Sequence, residues 1–78
     1  MENAMNEDAV VKAMGTALSV LAAALERGGV MKGQELANLL GMIGTVTSED
    51  GDPDQGLILG AWSAMISDSA GKAVKYDN

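Results

Sequence analysis

Asp50, Asp52 and Asp54 alternate in the run Glu49-Asp50-Gly51-Asp52-Pro53-Asp54, the pattern of carboxylates that opens a calcium-binding loop. Such a loop also needs a glycine at its sixth place, for the sharp turn, and a bidentate glutamate at its twelfth. Counted from Asp50, those places hold Gln55 and Ala61, so the turn residue and the closing ligand are both missing. Asp52 has a simpler role: its side chain can accept a hydrogen bond from the unpaired amides at the start of a helix. No metal site is therefore expected. The acidic knob of Glu49, Asp50, Asp52 and Asp54 is left as a candidate docking surface for a basic partner.

Ser69 stands three residues before Lys72, a spacing at which a lysine can activate a serine nucleophile. That chemistry also needs an oxyanion hole and a second base, and a chain this short with no further matching motif does not assemble them. Gly71-Lys72 has neither the upstream glycine nor the following Ser or Thr of a phosphate-binding loop. Histidine and cysteine, the commonest acid, base and nucleophile choices, are absent from the chain. The expectation is a protein that is not an enzyme and carries no cofactor. Trp62, the single tryptophan, fits either the centre of a small core or an anchor in a partner-binding surface, where tryptophan is enriched.

The elements that would position these residues must come from 78 residues, one domain at most. A domain of that size buries only about 60–65% of the surface its unfolded chain exposes. Small domains offset a thin core with disulfides, metals or partner subunits, and without cysteine or histidine the first two are closed. The apolar share of 47% comes almost wholly from aliphatic residues, with one Trp, one Tyr and no Phe. Eleven acidic against five basic residues give a net charge of −6, which repels a phosphate backbone, so no direct nucleic-acid contact is expected. The start, Met1 to Asp8, has no basic residue ahead of an apolar stretch and does not read as a secretory signal. The longest uncharged apolar stretch, Ala13 to Leu25, is shorter than the roughly 18 residues of a membrane span. These features point to the cytoplasm and away from the membrane.

Periodicity predicts an all-α fold: a small three-helix bundle, or a helical hairpin plus a third helix, completed by homo-oligomerisation. The helices are expected at about 7–27, 33–46 and 53–70, in a single domain over 1–78. The first has Asn6 as N-cap, Glu7 and Asp8 in its first turn where negative charge favours the helix dipole, and Gly28-Gly29 at its end. Val11, Met14, Leu18, Leu21 and Leu25 form a heptad-like seam along it, and Val10, Ala13, Ala17, Val20 and Ala24 a second apolar line beside the first. With only Lys12, Thr16, Ser19, Ala23 and Glu26 as a narrower polar stripe, this helix needs packing on more than one side.

The connection Gly28 to Gly33 has the form of a helical-hairpin turn in which the apolar pair Val30-Met31 plugs into the core, with Lys32 where a capping Ser or Thr would stand. In the second helix Leu36, Leu39, Leu40, Ile43 and Val46 recur at helical spacing. Ala37, Gly41 and Gly44 fall near one line, where missing side chains let another backbone approach, within the subunit or across a subunit interface. Thr47 to Asp52 is read as a polar loop. The third helix has Asp52 as N-cap, Pro53 at N1 and Gln55 at N3. Its apolar face combines Ile58 or Leu59 with Trp62, Met65 and Ile66, and Gly71 is its expected stop. The tail 72–78 is expected to be flexible or to dock through Val74 and Tyr76.

The function these features point to is that of a small acidic protein-interaction module, working as a homodimer or higher oligomer with a further protein partner, in a regulatory or inhibitory role. The candidate oligomer interface is Val11, Met14, Leu18, Leu21 and Leu25 with Ala37, Gly41 and Gly44. The candidate partner-binding residues are Glu49, Asp50, Asp52, Asp54 and Trp62. Two alternatives follow from the same features. One is an inhibitor of phage or mobile-element type whose acidic face blocks a nucleic-acid-binding target. The other is a binder of a small ligand such as a nucleotide, with a pocket between subunits lined by basic residues drawn from Lys12, Arg27, Lys32, Lys72 and Lys75.

Overall fold

A computed structural model describes residues 7–76, with side chains as far as Lys72. Among the described residues the chain forms three helices and no strand: α1 (Glu7–Arg27), α2 (Gly33–Glu49) and α3 (Pro53–Tyr76). The N-cap expected at Asn6 lies outside the described residues.

Both connections are closed by the same device. Gly29 takes the left-handed conformation, with φ 76°, its N–H donates to the Glu26 carbonyl at 3.0 Å, and the Val30 N–H donates to the Leu25 carbonyl at 2.9 Å. Gly51, with φ 109°, repeats the pattern: its N–H donates to Ser48 and the Asp52 N–H to Thr47, at 3.2 and 3.1 Å. Each is a Schellman motif, which satisfies the last carbonyls of a helix and needs a residue that tolerates positive φ. Asp52 then serves α3 as well, its Oδ1 accepting the Gln55 N–H at 3.1 Å. The stretch expected to be a polar loop from Thr47 is thus the last turn of α2 followed by a two-sided cap.

Two boundaries differ from expectation. α2 runs three residues beyond Val46, to Glu49, because the Schellman bonds hold the Thr47 and Ser48 carbonyls. α3 does not stop at Gly71 but continues through it to Tyr76. Gly71 is not among the glycines at positive φ, so the chain has no left-handed residue there to end the helix, and the ion pair Lys72–Asp68 at 3.1 Å spans the turn that contains it. Val74 and Tyr76 therefore belong to α3; their side chains lie outside those described. At the first turn Val30 does not plug into the core but is 70% exposed, while Met31 is half-buried. Lys32 is the N-cap of α2 without a capping side-chain bond. Its backbone N–H donates to the Glu35 carboxylate at 3.1 Å, the half of a capping box that a lysine leaves available.

α2 and α3 share the most extensive contact, α1 lies against α3, and α1 touches α2 least. The result is open. The Cα radius of gyration is 13.8 Å and the extents are 44 × 32 × 18 Å, where a compact domain of this length would have a radius of about 11.5 Å. Among the described residues the buried hydrophobic side chains are Ala22, Ala37 and Ile66, one from each helix, with Leu18, Leu36 and Leu40 packed against them. Among the described residues Ile66 is the one large side chain fully enclosed.

The α2–α3 contact is built from small residues. A Cβ on Gly56 would lie 2.6 Å from the Gly44 carbonyl oxygen and 2.8 Å from the Ser48 Cβ, so the two backbones meet directly at Gly44 and Gly56. Further along, the Ser63 hydroxyl donates to the Ala37 carbonyl at 2.6 Å and the Ser67 hydroxyl to the Gln34 side-chain oxygen at 2.9 Å. α1 is fastened differently. The Trp62 indole N–H donates to the Val11 carbonyl at 2.9 Å, the Met65 thioether and the Trp62 ring occupy the space a side chain at Gly15 would need, and the Glu26 carboxylate accepts the Gly33 N–H at 2.7 Å.

Candidate interaction surfaces

The seam expected along α1 divides. Val11, Leu18 and Leu25 are half-buried on the side facing the rest of the subunit, together with Gly15 and Ala22. Met14 and Leu21 are exposed, and so is the second apolar line of Val10, Ala13, Ala17, Val20 and Ala24. The helix therefore turns one apolar stripe inward and a wider one outward, with Leu21 57% and Val20 63% exposed. α1 is long and apolar enough to cross a membrane by length and composition, a test that core helices of soluble proteins and signal sequences also pass.

α2 shows the same doubling. Ala37, Gly41 and Gly44, expected as candidates for a subunit interface, lie in the contact with α3 inside the subunit. Ala37 accepts the Ser63 hydroxyl, a Cβ on Gly41 would stand 3.1 Å from that same hydroxyl oxygen, and Gly44 meets Gly56. They are spent on intrasubunit packing, because their lack of side chains is what brings α3 so close. On the opposite side Leu39, Met42, Ile43 and Val46 are all exposed at the i, i+3, i+4, i+7 spacing of one helical face. Leu57, at the start of α3, is 76% exposed.

Trp62 is directed into the α1–α3 contact, half-buried and bonded to the α1 backbone. Its N–H and part of its ring are thus engaged within the subunit. The acidic residues Glu49, Asp50, Asp52 and Asp54 are exposed at the α2–α3 turn. Asp52 is the cap already described and Asp54 stands in the first turn of α3, where the dipole favours it. Glu49 and Asp50 are at the opposite kind of place, the end of α2, whose last turn has no basic residue and whose dipole disfavours negative charge.

Among the described residues no group of three His, Cys, Asp or Glu side chains could hold a metal ion. An open groove runs between α2 and the start of α3, floored by Gly41, Gly44, Gly56 and Gly60 and flanked by Glu49 and Asp54. Two carboxylates and no basic group at its edge do not suit an anion. Of the basic residues considered for a nucleotide, Lys12 pairs with Asp8 at 3.4 Å and Lys72 with Asp68 at 3.1 Å, each one turn away on its own helix. The Lys75 side chain lies outside those described.

Among the described residues ten large apolar side chains are exposed, most of them on the outward sides of α1 and α2. A scan against protein-family models and searches of curated proteins and of solved structures found no match to this chain.

Proposed function

We propose that this chain is a non-enzymatic protein-interaction module that works as a homo-oligomer, its outward apolar faces covered by further copies of itself and by a protein partner. The observation that carries this reading is the pair of exposed stripes on α1 and α2, which leave large aliphatic side chains in water while Ile66 alone among the described large side chains is fully enclosed. Contiguous apolar surface of this kind marks association sites.

A bilayer is the competing cover, and two features weigh against it. Lifting α1 into lipid would strip Ala22 and Leu18 from an already small core and break the Trp62–Val11 bond. The net charge of −6 is also repelled by the anionic cytoplasmic leaflet. This reading puts the protein in the cytoplasm.

A second reading, an inhibitor whose acidic end occupies a basic groove on its target, is favoured by Glu49 and Asp50. They stand at a helix terminus where they cost stability, and charge kept against a local rule points to use. On this reading the oligomer presents several acidic ends at once.

The test is a pair of charge insertions. Leu21→Glu on α1 and Ile43→Glu on α2 replace exposed residues, so each should leave helix content unchanged by circular dichroism. At least one should lower the mass measured by light scattering at micromolar concentration. If wild type and both variants give the same monomer mass, the reading fails.

A further inference from the structure

We infer that two copies of the chain pair antiparallel through the outward face of α1, about a two-fold axis at Ala17. This rests on the self-association proposed above and adds to it the face, the direction and the register.

The register follows from how α1 is laid out around Ala17. In an antiparallel pair with Ala17 on the axis, residues whose numbers add to thirty-four stand opposite each other. Val10 then faces Ala24, Leu21 faces Ala13, and Met14 faces Val20. All of these are exposed, and each of the first two pairs sets a large side chain against an alanine, the interdigitation that close helix packing requires. The same register sets Glu7 against Arg27, the acidic first turn of one helix beside the basic last turn of the other, and opposes the two helix dipoles. A parallel pair would do the reverse. It would align Glu7 with Glu7 and Arg27 with Arg27, and would stack the large residues Val10, Met14 and Leu21 on their own copies. An isologous contact is the commonest form of self-association, and its helix seam from Val10 to Ala24 is about 21 Å long.

The chain has no cysteine, so single cysteines report cleanly. A disulfide needs Cα atoms within about 7 Å, which at an antiparallel crossing is met on the axis. Ala17→Cys should oxidise to a covalent dimer, Ala13→Cys alone should not, and Ala13→Cys mixed with Leu21→Cys should give the mixed dimer. Glu7→Arg or Arg27→Glu should each weaken dimerisation by about fivefold, and the two together should restore it. A wild-type chain that sediments as a dimer while Met42→Cys cross-links and Ala17→Cys does not would overturn the α1 seam and leave self-association standing. A chain that sediments as a monomer, and whose α1 cysteines become shielded only on adding phosphatidylcholine vesicles, would overturn both.

Discussion

The α2–α3 contact and the α1–α3 contact solve the same problem in opposite ways. Between α2 and α3 the helices approach through what is missing: Gly44 against Gly56, Gly41 against the Ser63 hydroxyl, with serine hydroxyls bonded to the Ala37 carbonyl and the Gln34 side chain. Between α1 and α3 the contact is made by what is present, the Trp62 ring and Met65 over Gly15 and the indole bond to Val11. The first arrangement uses up the inward faces of α2 and α3 with little apolar burial. The second covers one side of α1 and leaves the other in water. Stability here comes from close backbone approach and a handful of side chains, and about half of the large aliphatic residues described are left exposed.

The largest effect should come from the point where all three helices meet. Ile66→Ala removes the one large enclosed side chain and should destabilise by about 2–5 kcal/mol, measured by chemical denaturation. A smaller change would mean that the open arrangement collapses around the gap, and that the two contacts are not distinct.

Two glycines one turn apart on α3 sharpen the comparison. Gly56→Ala puts a methyl 2.6 Å from the Gly44 carbonyl oxygen, where only backbone movement can make room, and should cost about 1–3 kcal/mol. Gly60→Ala has nothing within 4 Å and should stabilise by about 1 kcal/mol through helix propensity alone. Equal effects of the two in thermal melts would contradict the backbone-on-backbone contact.

Trp62→Phe keeps most of the ring but removes the N–H that holds Val11, at a cost of about 1 kcal/mol. Its signature is local. Amide exchange should quicken in α1 and stay as it was in α2 and α3. At the far end of the molecule, Glu49→Lys with Asp50→Lys should stabilise by a few tenths of a kcal/mol by relieving the α2 dipole, and should abolish binding to any basic partner of the acidic end.

Much of this was legible in the residues. The span of α1 follows from its acidic start and its glycine end, and the start of α3 from Asp52-Pro53. Gly41 and Gly44 were visible as places of close approach. What periodicity could not settle was which of two apolar lines on α1 faces inward, because a helix apolar around most of its circumference offers both. Thus Val11, Leu18 and Leu25 had to be separated from Met14 and Leu21 by the structure. Gly56 went unremarked, although a signal for it exists. Small residues lie symmetrically about Asp50, Gly44 with Gly56 and Ala37 with Ser63, as a tight antiparallel hairpin turning at that point would require. Gly71 misled because a glycine ends a helix only where the chain turns left-handed, and one sequence does not show the backbone angle.

One copy of the chain leaves the outward apolar faces of α1 and α2 in water. Sedimentation equilibrium of the unmodified chain across a micromolar concentration series tests whether further copies cover them, without mutation or label. A single dimer or larger species, dissociating only on dilution, is the predicted result. A mass of one chain at every concentration, in detergent-free buffer, would contradict it.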